Sequence, residues 1–363
     1  MRIAIVGAGI NGIMSAWALA RRGHTVDLYE RGQPVAGTSS ASTKLLHGGL
    51  RYLETGDIAL VREGLRERAW WLAQAPHLAQ PLELLLPVQR GQGRPRWKLK
   101  AGLTLYDTLA GCNRLAPHRW LEPQELLARM PGLRAHGLLG AYAYWDGQMD
   151  DHQLGLWALA QAQAAGVRLH AGSAVERVDL RGQIQLAGSP APLAYDLVCN
   201  LAGPHAAALL ARSGVPSRHR LRLVRGSHLL IDGTLPCGLL VQSPDDQRAC
   251  FILPYGGRIL IGTTEVEQTL DAPVRMSDAE RDYLLAVWNA HFDRQLTPDD
   301  VRASFAGLRP LLAQSGAANA NTREHAIETR GRLLTVFGGK WTTARRLGEE
   351  VGEVADRCLA NRS

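Results

Sequence analysis

Near its start the chain carries Gly7-Ala8-Gly9-Ile10-Asn11-Gly12 between two short apolar runs, Arg2 to Val6 and Thr25 to Tyr29. The segment that follows the glycines, Ile13 to Arg22, places Ala16, Leu19 and Ala20 at helical spacing. Strand, glycine turn, helix and strand in this order make a dinucleotide-binding unit. The first glycine permits the tight turn, the second lets a pyrophosphate approach the backbone, and the third lets helix pack close to strand. The helix N-terminus then faces the phosphates. Glu30 closes the second strand about 20 residues beyond the glycines, where a carboxylate can accept both ribose hydroxyls. A 2′-phosphate would be repelled there, which argues against NADP.

The N-terminus also mimics a signal peptide, with Arg2, an apolar stretch and Ala18-Leu19-Ala20. Gly7, Gly9 and Gly12 break that stretch, and the strand–helix–strand pattern runs straight through the supposed cleavage site.

Further along, Pro34 to Ser42 reads as loop, about Asp57 to Ala75 as helix, and Gln89 to Lys100 as a basic, turn-rich segment. Tyr142 to Trp145 reads as strand, Asp150 to Ala165 as helix closed by Gly166, and Val167 to Leu186 as short strands. Leu193 to Leu201 is an apolar strand, and Ala202-Gly203-Pro204 starts the next helix. Leu221–Ile231, Gly238–Gln242, Ala249–Leu253 and Arg258–Gly262 predict an antiparallel sheet. Ser277 caps a helix to Phe292, with Glu280 completing a capping box. Leu333 to Phe337 is a strand, and Gly338-Gly339 leads into a final helix striped by Leu347, Val351, Val354, Ala355, Cys358 and Leu359.

The parallel-type strands thus lie at the start, near Leu193 and near Leu333. The expected division is a discontinuous nucleotide domain, residues 1–85, 146–215 and 325–363, interleaved with a substrate domain, residues 86–145 and 216–324. A second glycine turn late in the chain suits FAD, a long cofactor that lies across such a domain.

At the level of motifs the chain resembles the FAD-dependent, quinone-linked glycerol-3-phosphate dehydrogenase family. The resemblance rests on Gly37-Thr38-Ser39-Ser40, Ser42-Thr43-Lys44-Leu45, His47-Gly48-Gly49-Leu50-Arg51-Tyr52-Leu53-Glu54 and Ala75-Pro76-His77-Leu78. It continues through Tyr144-Trp145-Asp146-Gly147-Gln148, Asn200 to Pro204, Arg225-Gly226-Ser227-His228 and Gly262-Thr263-Thr264. Gly307-Leu308-Arg309-Pro310-Leu311, Thr322-Arg323 and Gly338-Gly339-Lys340 complete it in order. It implies an α/β fold with α+β insertions, a Rossmann-like FAD-binding domain of the glycine-oxidase and D-amino-acid-oxidase type with an interleaved antiparallel sheet. It also implies oxidation of sn-glycerol 3-phosphate to dihydroxyacetone phosphate. Family members usually read Lys-Gly-Ser-His, Pro-Trp and Gly-Thr-Thr-Asp where this chain has Arg225-Gly-Ser-His, Pro254-Tyr255 and Gly-Thr-Thr-Glu265. They usually carry an extra helical C-terminal domain of roughly a hundred residues; this chain is expected to be a short form ending with the helix after Lys340.

By that resemblance, Arg309 and Arg323 take the substrate phosphate, a role suited to the bidentate guanidinium. Lys340 lies near the substrate hydroxyl and the flavin, where it stabilises developing charge. His47 is the preferred general base, because imidazole titrates near neutral pH. Arg51, Tyr52, His228, Tyr255 and Thr263 line the pocket, with His228 also readable as a buried structural histidine. The FAD envelope is expected from Gly7, Gly9, Ile10, Asn11, Gly12, Glu30, Thr38, Ser39, Ser40, Thr43, Lys44, Leu45, His47, Gly48 and Gly49. Val175, Ala202, Gly203, Gly338, Gly339, Lys340, Trp341 and Thr342 complete it. Alternatives on the same fold are a flavin-dependent 2-hydroxyacid or amine oxidase, since two arginines also grip a dicarboxylate, and a non-catalytic flavoprotein subunit.

Composition narrows the partners. A net charge of +7 favours anionic ligands or lipid surfaces without making a nucleic-acid binder. The five cysteines form no Cys-x-x-Cys pair, which argues against a zinc site or disulfide scaffold and for a reducing, cytoplasmic compartment. No apolar run reaches the roughly 18 residues of a membrane span. Arg90, Arg94, Arg96, Lys98 and Lys100 surround Trp97, an expected peripheral contact with the inner face of the plasma membrane, where a quinone or another acceptor would take the electrons.

Overall fold

The computed structural model describes residues 1–91, 93–313 and 325–360. The chain opens with β1 (Arg2–Val6), α1 (Ile10–Arg21), β2 (Thr25–Tyr29) and β3 (Leu45–Leu46). Next come α2 (Ile58–Gln74), β4 (Ala79–Gln89), α3 (Arg96–Ala110), β5 (Arg119–Leu121), α4 (Pro123–Arg129), β6 (Leu138–Met149) and α5 (Asp151–Ala164). The middle of the chain holds β7 (Arg168–His170), β8 (Val175–Val178), β9 (Gln183–Leu186), β10 (Leu193–Ala194), β11 (Leu197–Asn200) and α6 (Ala206–Arg212). Then follow β12 (Leu221–Asp232), β13 (Gly238–Gln242), β14 (Ala249–Tyr255), β15 (Arg258–Gly262), β16 (Val266–Glu267) and α7 (Asp278–His291). β17 (Val301–Leu312), β18 (His325–Arg330), β19 (Leu333–Gly338) and α8 (Ala344–Ala360) end the series.

The six-stranded sheet runs β18-β19-β11-β1-β2-β7, and β1 pairs in parallel with both β2 and β11. Its central strands β1, β2, β11 and β19 are largely apolar and buried, as strands covered on both faces should be. β19, far along the chain, lies directly beside β11. α8 packs on α1, where Gly348 allows close approach: a Cβ there would meet the Met14 carbonyl oxygen at 2.6 Å. The stripe expected on the final helix is the one buried, through Leu347, Val351, Ala355 and Leu359.

A ten-stranded sheet runs β16-β12-β15-β14-β13-β4-β6-β3, with β17 on β12 and β5 on β6. β3 and β4, inside the first expected cofactor segment, hydrogen-bond into this sheet. A separate three-stranded sheet, β10-β9-β8, packs against the six-stranded one through Val178 and Ile184. The predicted capping box is present: Ser277 and Glu280 bond each other's backbone N–H. Among the described residues no helix is long and apolar enough to cross a membrane.

One segment departs from the reading of the sequence. Residues from Arg96, taken as part of a turn-rich stretch, begin α3, which starts just after Pro95. Proline ahead of a first helical turn has no N–H to leave unpaired, so it starts this helix rather than a turn. Leu103, Tyr106 and Ala110 form its buried face.

Candidate active site

The glycine turn behaves as its spacing requires. Gly7 has φ 106°, and a Cβ on Gly12 would fall 1.8 Å from the Gly7 carbonyl oxygen, so only glycine lets α1 start here. Gly9 caps α1 without a side-chain bond, and Ser39 Oγ accepts from the Ile10 N–H at 2.9 Å. Glu30 accepts from Ala8 N–H (2.9 Å) and Gly32 N–H (3.0 Å), which holds its carboxylate beside the turn. The buried Asn11 Oδ1 has no partner among the described residues, and a Cβ on Gly339 would meet Asn11 Nδ2 at 2.5 Å. Trp341 Nε1 donates to the Ser39 carbonyl (2.9 Å), and the Thr342 carbonyl accepts from Trp71. Segments some 300 residues apart therefore converge on one cradle with an open helix N-terminus, an acid at the strand end and an orphaned polar atom. This donor set fits a dinucleotide.

Other expected cofactor residues play visible local roles. Thr38 Oγ1 donates to Leu308 O, and Ser40 Oγ to Gly37 O. Lys44, buried and at φ 61°, gives its ammonium to Asp151 Oδ1 (2.6 Å) and Ser40 O (2.7 Å). Leu45 packs in the core. Val175, on β8, packs against the cluster holding Val6 and Tyr29, and Ser173 N–H reaches the Glu30 carbonyl. Ala202 N–H bonds Asn200 Oδ1, and Gly203 (φ 56°) opens the short turn before α6. Gly338 (φ 80°) ends β19.

The His47-Gly48-Gly49 segment hangs from a buried network. Gly48 N–H donates to Tyr106 Oη (2.8 Å), with Asp146 Oδ1 at 3.3 Å. Asp146 also accepts from Tyr106 Oη (2.7 Å) and Arg68 Nη1 (2.8 Å). A Cβ on Gly48 would strike Leu65 and the Tyr106 oxygen, and one on Gly49 would strike the Tyr52 ring at 2.3 Å. Burial pulls the His47 pKa down to about 4, against the nearby Asp146 carboxylate and together with Lys340 and Arg51. Burial and the Arg51 cation likewise lower Lys340 to about 7. Lys340 Nζ donates to the Tyr52 hydroxyl and lies 3.7 Å from the ring centroid.

On the ten-stranded sheet, β17 carries Arg309 opposite Val224 of β12. Arg309 Nη2 donates to Thr264 O (3.0 Å) and Nη1 to Glu265 Oε1 (3.3 Å). A Cβ on Gly226 would meet Thr263 Oγ1 at 2.6 Å and Arg309 Nη2 at 3.2 Å, which places Thr263 and Arg309 together. Buried His228 stacks on Phe305 (4.8 Å), and its Nε2 pairs with Thr43 Oγ1 (2.9 Å). Burial, Lys44 and Arg309 lower the His228 pKa to about 3, so it stays neutral. Tyr255 is half-buried, its pKa pushed up to about 12 by burial and by Asp150 and Asp151, with Lys44 Nζ 5.6 Å from its ring.

His47, Arg51, Tyr52 and Lys340 thus form one group. Thr43, His228, Thr263 and Arg309 form a second, and the fields of Arg51 and Arg309 link the two. Arg323 lies outside the described residues. Reading the sequence did not single out Arg68, Tyr106 or Asp151. An available signal was Asp146 itself, an acid inside an apolar aromatic strand, which needs a buried partner.

A family model described as FAD dependent oxidoreductase matches residues 2–353. The chain belongs to the FAD-dependent oxidoreductase family. Within that family it is 37% identical to a glycerol-3-phosphate dehydrogenase of Synechocystis sp. over 96% of this chain and 68% of that protein. It is 38% identical to a glycerol-3-phosphate dehydrogenase of Pseudomonas aeruginosa, over 96% of this chain and 70% of that one. The fold matches the FAD complex of glycerol-3-phosphate dehydrogenase from Bacillus halodurans with a TM-score of 0.79, at 27% identity, covering 99% of this chain and 65% of that chain. Glycine oxidase from Geobacillus kaustophilus shares the fold, with a TM-score of 0.71 at 24% identity over 100% of this chain and 95% of that one. The expected oxidoreductase class, fold and FAD cofactor are thereby those of this family.

Proposed function

We propose that this chain oxidises sn-glycerol 3-phosphate to dihydroxyacetone phosphate. One observation carries the reading: Arg51 lies close enough to Arg309, Lys340 and His47 to act on all three, and burial keeps the histidine neutral. A pocket with that excess of positive charge selects a compact anion bearing an oxidisable group. The glycerol-3-phosphate dehydrogenases among its relatives support the same substrate.

The residues divide the work. Arg309 grips the phosphate, and Arg323, by resemblance, joins it. Neutral His47 takes the hydroxyl proton, since a base must be unprotonated to accept one. Lys340, its ammonium aimed by Tyr52, stabilises the oxygen as negative charge grows on it. The Asp146–Tyr106 network fixes the backbone that carries His47. FAD, when bound, supplies the hydride acceptor at N5.

Two finer features belong to the same proposal. The six-stranded sheet and its helices form the cofactor unit, and the ten-stranded sheet forms the substrate unit. Electrons pass to a quinone, with α3 resting on an anionic membrane face. α3 exposes Trp97 (72%) and Leu105 (38%) beside Lys98 and Lys100.

The test is anaerobic. Glycerol 3-phosphate is expected to bleach the flavin of the FAD-loaded protein, and glycerol to do so poorly. Bleaching by a 2-hydroxyacid or an amino acid instead would overturn the substrate, and no bleaching by any of them would leave a non-catalytic flavoprotein.

A further inference from the structure

Glu265 is held between two arginines. Its Oε1 accepts from Arg309 Nη1 at 3.3 Å, and its Oε2 lies 3.0 Å from Arg248 Nη2. The sheet brings Arg248 there. β14 and β15 pair with Phe251 opposite Gly262, so the residues just before β14 run beside those just after β15. The three side chains keep 29%, 36% and 32% exposure for Arg248, Glu265 and Arg309, so the group sits at a rim that water reaches. Arg309 Nε is buried with no partner among the described residues. Burial works against the charged form of Arg309, and its charged neighbours include the acid Glu265 and the cations Arg248 and Arg51.

We propose that Arg248 is a specificity-determining residue, a further guanidinium of the substrate's anion site beside Arg309, and that Glu265 occupies this site as an internal counter-ion until the substrate phosphate displaces it. The inference rests on the phosphorylated-substrate reading above. A carboxylate whose two oxygens are taken by two different guanidinium groups marks a site for a pair of anionic oxygens. A phosphate presents such a pair, together with a third oxygen and a second charge, to donors whose planar fork accepts either anion. Glu265 is exposed enough to turn into water when it leaves, where an ion pair of this kind is weak. Arg248 and Arg309 then face a dianion with two positive charges.

The experiment uses the FAD-loaded protein and its Arg248→Met, Arg248→Lys, Glu265→Gln and Arg309→Met variants. Inorganic phosphate binding is measured by calorimetry, and kcat/KM is measured for glycerol 3-phosphate and for glycerol. Arg248→Met is expected to weaken phosphate binding and to lower the preference for glycerol 3-phosphate over glycerol, each about tenfold. Arg248→Lys, which keeps the charge without the fork, should fall between and carries the test if the methionine variant loses FAD. Glu265→Gln should tighten phosphate binding. Weaker phosphate binding in Glu265→Gln, or wild-type binding in both Arg248 variants, overturns the inference. Loss in Arg309→Met with none at Arg248 removes this inference alone. Phosphate binding unmoved in Arg309→Met removes the phosphorylated-substrate reading itself.

Discussion

Lys340 donates to the hydroxyl of Tyr52, 288 residues earlier in the chain, while lying 3.7 Å from the centre of the same ring. The ring face stabilises the ammonium, yet burial and the Arg51 charge still pull its pKa to about 7. If the charged amine assists the reaction, kcat/KM is expected to fall as pH rises through about 7. The acid limb comes from His47, which gains a proton and stops acting as a base as pH falls through about 4. Binding of a dianion favours the ammonium, so the alkaline limb of kcat should lie above that of kcat/KM. Lys340→Met should remove the alkaline limb and lower kcat roughly 10²–10³-fold, the range for losing one aimed donor. Steady-state pH profiles check both points.

Arg309→Met should raise the KM for glycerol 3-phosphate by about ten- to a hundredfold, because a charge-assisted contact contributes on the order of 1.5–3 kcal/mol. The rate with glycerol should change far less. Equal effects on both substrates would remove the phosphate from this site.

Asp146→Asn should be severe, because it leaves Arg68 charged and buried without its counter-ion. A cost of about 3–5 kcal/mol is expected from such a broken pair. Tyr106→Phe removes only the hydroxyl that Gly48 N–H and Asp146 share, at about 1–3 kcal/mol. Thermal unfolding gives both values, and the tyrosine variant should also lose affinity for FAD if the Gly48 backbone is held as described.

Glu280 supplies an acid-stability signature. Burial pushes its pKa up, but bonds from Arg225, the Ser277 backbone, Thr264 and Ser227 outweigh this and hold it at about 2. The unperturbed value is 4.5, so its stabilisation is complete above that pH and is lost as pH falls toward about 2. Glu280→Gln should flatten the acid side of a plot of Tm against pH, and should lower Tm at neutral pH by freeing Arg225.

For α3, vesicle co-sedimentation at low salt should show binding to anionic lipid that weakens as salt rises. Trp97→Ser with Lys100→Glu should reduce it. Arg94 and Lys98 are poorer choices, because both reach Glu54, and Arg96 lies 3.8 Å over the Trp120 ring. Indifference of the unaltered protein to such vesicles would point to an acceptor in solution.

Much of this was legible in the sequence where the physics is local. The glycine turn, the capping box at Ser277 and the stripe on α8 each follow from neighbouring residues. β17 was not read as a strand, because its burial is patchy and its stabilising partner, β12, lies some 80 residues away. The same limit hid the ion pairs that shape the site. Lys44 with Asp151 spans 107 positions, and nothing around either residue announces the other. A motif draws attention to candidate chemistry-bearing side chains such as His47 and Lys340. Their counter-ions carry no such mark, since only the folded sheet decides which charges become neighbours.

The place of β19 has a consequence for how the protein is made. Its neighbour β11 and the glycine turn after β1 leave the ribosome well over a hundred residues before it does. Until β19 arrives, β11 presents an unpaired edge and the cradle lacks Gly339, Trp341 and Thr342. Non-local closure of this kind slows folding and leaves sticky intermediates. Firm loading of the proposed FAD cradle therefore waits for β19, and supplying the cofactor during expression should raise the yield of folded protein by trapping the closed sheet.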